Sequence, residues 1–75
     1  MSLIAELQAT PRLPHPALAH EICRARGVTA ERLAAELGVH PVTVRRWWSG
    51  ARQPRGRLRN AYAQLLQELA ALAVQ

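Results

Sequence analysis

The amino-acid sequence predicts an all-α fold, a small bundle of about five helices with a long last one. Three observations carry this expectation. Apolar residues recur at three- and four-residue spacing, and no stretch shows the strict alternation of a half-buried strand. Glycine and proline fall mainly between the periodic stretches. The segment from Arg57 to Val74 is rich in Ala, Leu and Gln and holds no helix breaker, as a helix of several turns requires. A chain of 75 residues is expected to form one domain around one small core. Its parts are a short helix and proline-rich connection over 1–15, a helical body over 16–56 and the terminal helix over 57–75.

The elements follow in order. Ser2 to Ala9 reads as a short helix with Ser2 as N-cap and Leu3, Ile4 and Leu7 on one side. Pro11, Pro14 and Pro16 make the next stretch an extended connection. Pro16 to Arg26 is a second helix with Leu18, Ile22 and Ala25 as its apolar stripe, and Gly27 ends it in the left-handed conformation. Thr29 caps a helix over Ala30 to Leu37, in which Glu31 suits the positive end of the helix dipole and Leu33, Ala34 and Leu37 form the inner face. Gly38 ends it. His40 and Pro41 open the next helix, where a proline at the first position gives up no hydrogen bond. That helix runs to Ser49 and stops at Gly50. A loop over 51–56 leads to the last helix.

Charge is distributed unevenly. Ten basic residues, all arginine, oppose five acids. No Asp or Glu lies between Glu36 and Glu68, and this interval holds Arg45, Arg46, Arg52, Arg55, Arg57 and Arg59. Clustered positive charge of this kind marks a surface for nucleic acid. The helix over 41–49 arranges it further. With Val44 set at 0° and about 100° per residue, Trp47 falls at about −60° and Trp48 at about 40°. Both tryptophans share the inner face with Val44. Val42, Arg45, Arg46 and Ser49 fall between about 100° and 200°, on the outer face. A helix anchored by its aromatics with a basic outer side fits the major groove of DNA.

Two short helices joined by a glycine turn make a helix-turn-helix. The stretch GVTAERLAAELGVHPVTVRRWWSGARQP, residues 27–54, resembles the signature of the phage repressor and Cro-like helix-turn-helix regulators. The matching elements are Val28-Thr29, Leu33-Ala34, Leu37-Gly38-Val39, Thr43-Val44, Trp47, Gly50, and Arg52 with Pro54. The resemblance covers residues 16 to about 62. It implies a sequence-specific DNA-binding regulator with Pro41, Val42, Arg45, Arg46 and Ser49 on the base-reading side. Thr29, His40, Thr43, Arg52, Arg55, Arg57 and Arg59 are then expected at phosphates. The chain departs from the pattern where that family often has glutamine (Ala30), polar base readers (Pro41 and Val42) and an Arg–Glu pair between two helices (Cys23 and Trp48). A thiol and an indole can pack together in place of that pair. These departures leave the target sequence open.

The last helix carries Leu58, Tyr62, Leu65, Leu69 and Leu72 at alternating spacings of four and three, widened by Leu66 and Ala73. Such a heptad-like seam suits a homodimer, with Tyr62, Leu65, Leu66, Leu69 and Leu72 as its interface. The competing reading is that this face closes the core of one chain, against Leu3, Ile4 and Leu7. A dimer places two reading helices on one face of an inverted-repeat operator, where binding excludes polymerase and represses. Two alternatives are an accessory DNA-binding protein for excision or replication and a protein-interaction module that reuses the fold.

Other chemistries find little support. His15 and His20 are five residues apart and have no completing ligand, so no metal is expected. The single cysteine, Cys23, cannot pair internally. No nucleophile–base set and no phosphate loop is visible, so neither an enzyme nor a cofactor is expected, nor a small-molecule ligand. The N-terminal residues carry no basic leader and no apolar span. The expected location is the cytoplasm of a bacterial or phage-infected cell, at the nucleoid.

Overall fold

The computed structural model describes residues 12–73. They form four helices and no strand: α1 Pro16–Ala25, α2 Ala30–Leu37, α3 Pro41–Ser49 and α4 Gly56–Ala73. The helix expected over Ser2 to Ala9, with Leu3, Ile4 and Leu7, lies outside the described residues. α4 begins one residue earlier than expected, at Gly56.

The starts of α1, α2 and α3 each follow from a side chain that takes up an orphan backbone N–H. The His15 imidazole Nδ1 accepts from the Ala17 N–H at 3.3 Å. The Thr29 hydroxyl accepts from the Arg32 N–H at 3.1 Å. The His40 Nδ1 accepts from the Val42 N–H at 3.2 Å, with Pro41 at the first helical position. The ends are closed as economically. The Val28 N–H reaches back to the Cys23 carbonyl at 2.8 Å, and the Val39 N–H to the Ala34 carbonyl at 3.0 Å. This back-bonding needs a left-handed residue just before it. Gly38 supplies it after α2 with φ +71, and Gly27 does so after α1 with φ +70.

α2 packs on α3, and α1 lies against both α3 and α4. The core is built from Ala19 and Cys23 of α1, Ala30, Leu33 and Ala34 of α2, Val44 and Trp47 of α3, and Tyr62 and Leu66 of α4. The inner faces expected for α2 and α3 are found. The stripe expected on α1 is corrected. Leu18 is 54% exposed and Ala25 is exposed, whereas Ala19 and Cys23 are buried and Ile22 is half-buried. The buried face is turned toward the smaller residues. Trp47 and Tyr62, with ring centroids 4.8 Å apart, already fill the space opposite α1, and a close-packed interior then admits only small side chains there.

α4 brings a second correction. Tyr62 is 2% exposed and Leu66 1%. Both serve the core of the single chain and are closed to a second copy. Leu58, Leu65 and Leu69 are half-buried against that core, and Leu72 is exposed. The competing reading of this face therefore holds for Tyr62 and Leu66, which pack with residues of α1, α2 and α3; Leu3, Ile4 and Leu7 lie outside the described residues.

Candidate nucleic-acid interface

The helix-turn-helix is α2, its turn at Gly38 and α3. What sets its outer surface is the depth to which α3 is anchored. Val44 and Trp47 are buried. Trp48 is half-buried and stacks on His20 of α1, with ring centroids 4.4 Å apart and planes 10° from parallel. The expectation that Trp48 packs on the helix carrying Cys23 is met, and the thiol is fully shielded. The contact partner is His20, an exposed residue of α1. The only signal for it was the absence of the charge pair between these two helices.

With its inner side fixed, α3 turns Val42, Arg45, Arg46 and Ser49 outward, all of them exposed. Their chemical states differ. Arg46 is exposed and lines an open groove together with Thr43, Arg52, Gln53, Arg55 and Leu58. Pro41 is half-buried at the helix start and offers no donor. Val42 presents a side chain with only methyl groups. Two of these side chains have partners within the chain. Arg45 forms an ion pair with Glu31 of α2, so its guanidinium is already engaged across the helix-turn-helix. The Ser49 hydroxyl donates to the Arg46 carbonyl at 3.1 Å and accepts from the Ala51 N–H at 3.3 Å. That serine closes the end of α3.

The residues expected at phosphates divide similarly. Thr43, Arg52 and Arg55 share the groove with Arg46. The loop that carries the two arginines is held down by the buried Pro54 and by the Arg52 N–H, which donates to the Arg46 carbonyl at 3.2 Å. Arg57 is exposed in the first turn of α4. Arg59 is drawn elsewhere. It is half-buried, its Nη1 donates to the Asn60 Oδ1 at 3.3 Å, and it lines a separate recess with Leu13, His15 and Tyr62. Thr29 and His40 sit at the starts of α2 and α3 with their side-chain acceptors already bonded to backbone. The Thr29 hydroxyl hydrogen and the far His40 ring nitrogen remain for an external partner.

Electrostatics sharpen the contrast between the two flanks of α3. On the Thr43 flank, Arg46, Arg52 and Arg55 meet with no acid among the lining residues. On the Arg45 flank stands Glu31. Its own backbone N–H, and then Arg45, hold its carboxyl below the usual range. Behind the interface, burial pushes the Cys23 thiol up to about 11, so this thiol is an inert packing group.

Among the described residues, no three His, Cys, Asp or Glu side chains come together in a way that could hold a metal ion. No helix there is long and apolar enough to cross a membrane. A family model described as Helix-turn-helix matches residues 20–72, which takes in all of α2 and α3 and most of α1 and α4. Neither the curated proteins nor the solved structures provide a match.

Proposed function

Because the chain belongs to the helix-turn-helix family, in its phage repressor and Cro-like branch, we propose that it is a transcriptional repressor that reads an operator with α3 and binds it as a homodimer. Membership makes it a DNA-binding regulator. The repressor role, the dimer and the inverted-repeat operator are the further steps. One observation carries the reading: Arg46, at the centre of the outer side of α3, shares one groove with Arg52 and Arg55.

The roles follow from chemistry. A guanidinium presents a planar fork that matches the O6 and N7 acceptors of guanine, and a valine side chain can contact a thymine methyl. Arg46 and Val42 are assigned to these contacts. Arg52, Arg55 and Arg57 fix register by holding phosphates, which carry no sequence information. A bound dimer covers the operator and excludes polymerase. Such a chain acts where DNA is, inside the cell and at the nucleoid.

The test is a mobility-shift assay on a selected site and on random duplex, repeated over a range of salt. Three phosphate contacts per copy correspond to a slope of about −2.7 in log K against log salt. Arg46→Ala is expected to cost about 1–3 kcal/mol on the selected site and to flatten its sequence preference. Arg57→Ala should weaken all sequences alike. Equal losses on selected and random DNA for Arg46→Ala would remove it as the reader. The absence of any salt-sensitive binding would point to a protein-interaction module instead.

A further inference from the structure

The two flanks of α3 are unequal, and the difference lies in one residue. A helix in the major groove has a phosphate wall on each side. The Thr43 flank offers open guanidinium groups, those of Arg52 and Arg55. The other flank carries Arg45, paired with Glu31. Their side chains are 54% and 60% exposed, so the pair lies at the surface that meets the wall rather than behind it.

Glu31 also occupies the second position of α2, where a helix start ordinarily offers its N–H groups to an external anion. The Thr29 hydroxyl already takes one of them, the Arg32 N–H, and the Glu31 carboxylate adds a negative charge at this helix start. A phosphate approaching this flank therefore meets a carboxylate and a guanidinium already paired with it.

We propose that Glu31 withholds Arg45 from the DNA backbone and so lowers the sequence-independent part of binding. This rests on the DNA-binding reading and adds to it. Non-specific affinity comes almost wholly from phosphate neutralisation, whereas discrimination comes from base contacts. An arginine tied to a carboxylate removes one backbone contact from every sequence and leaves the Arg46 side untouched. Selected and random DNA are weakened alike, and the ratio between them stays set by the base contacts. An exposed ion pair is weak enough to be opened by one neutral substitution.

Wild type, Glu31→Gln and the double variant Glu31→Gln/Arg45→Gln are to be titrated with random duplex DNA and with a selected site over a range of salt. Circular dichroism checks that each keeps its helices, as substitutions at exposed positions should. Glu31→Gln is expected to bind random DNA several-fold tighter and to steepen the salt slope by about 0.9 per copy, one additional phosphate contact each. Its specific-to-random ratio should stay unchanged, because a phosphate contact adds equally to both. The double variant should return to the wild-type slope, because the released group is then absent. An unchanged slope in Glu31→Gln overturns the proposal. So does a steeper slope that persists in the double variant, since Glu31 would then act through its own charge and not through Arg45. Wild-type protein without salt-sensitive binding would instead defeat the DNA-binding reading itself.

Discussion

Cys23 and Tyr62 are two weak acids inside a core with no charge. Burial raises the Tyr62 phenol from 10.0 to about 12; the neighbouring Cys23 adds to this, and the Trp48 indole offsets a little of it. The Cys23 thiol moves from 9.0 to about 11 for the same first reason. For an acid raised by folding, the unfolded chain loses its proton first. The stability contribution is fully present below the unfolded value and is lost as pH rises through the folded one. Stability in denaturant is therefore expected to be insensitive to these two groups below about pH 9, then to fall progressively up to about pH 12. The Tyr62 hydroxyl is buried without a hydrogen-bond partner of good geometry, as is the Trp48 indole N–H. Leaving such a group unpaired costs about 1–3 kcal/mol. Tyr62→Phe should accordingly be neutral or more stable by about 1 kcal/mol, and its alkaline loss should narrow to the Cys23 range. A variant weakened by about 2 kcal/mol or more would show that the hydroxyl has a partner in solution.

At the level of elements, the turn between α2 and α3 governs how α3 is presented. Gly38 has φ +71, and a Cβ there would meet nothing within 4 Å. The cost of a side chain is then conformational alone, about 1–2 kcal/mol for an L-residue in the left-handed region. Gly38→Ala should lower stability in urea by that amount, and Gly38→Asn by less, since asparagine tolerates this conformation. Equal stability of wild type and Gly38→Ala would mean that the turn takes another shape. Boundaries of this kind were legible in the sequence because caps, prolines and glycines act locally: Thr29, Gly38, Pro41 and Gly50 each mark an end through their own backbone chemistry. The outer side of α3 was legible only as a direction. A helical wheel turns Arg45 outward, but Glu31 lies 14 residues earlier on another helix, and no periodicity of α3 reports it. The α1 stripe was misplaced for a related reason. Leu18 is the more apolar residue, and only the assembled bulk of Trp47 and Tyr62 makes Ala19 the better fit.

For the whole molecule, the unequal use of α4 decides what a dimer can be made of. Tyr62 and Leu66 are committed to the core, so the surface left for a second copy is Leu65, Leu69 and Leu72. Leu65 and Leu69 line a shallow recess with Arg26, Arg32 and Glu36, and Leu72 is 49% exposed. Because Leu72 contributes little to the single-chain core, Leu72→Glu separates association from folding. The variant is expected to keep its helices, to sediment as a monomer where wild type is a dimer, and to lose most of its affinity for a full operator. Wild-type footprints should show inverted half-sites centred about 10 base pairs apart. A wild-type protein that stays monomeric at high concentration and binds a lone half-site equally well would contradict the dimer.

The Trp47–Tyr62 contact has an optical consequence. The chain has one tyrosine, and its ring centroid lies 4.8 Å from that of Trp47. At that separation the excited phenol passes its energy to the indole before it can emit. The folded protein should fluoresce as tryptophan alone even when light is absorbed by tyrosine. A separate tyrosine band should emerge only when α3 and α4 come apart. The protein thus carries an intrinsic donor–acceptor couple between α3 and α4, and the unfolding of any variant that keeps Tyr62 can be followed by that emission without attaching a dye.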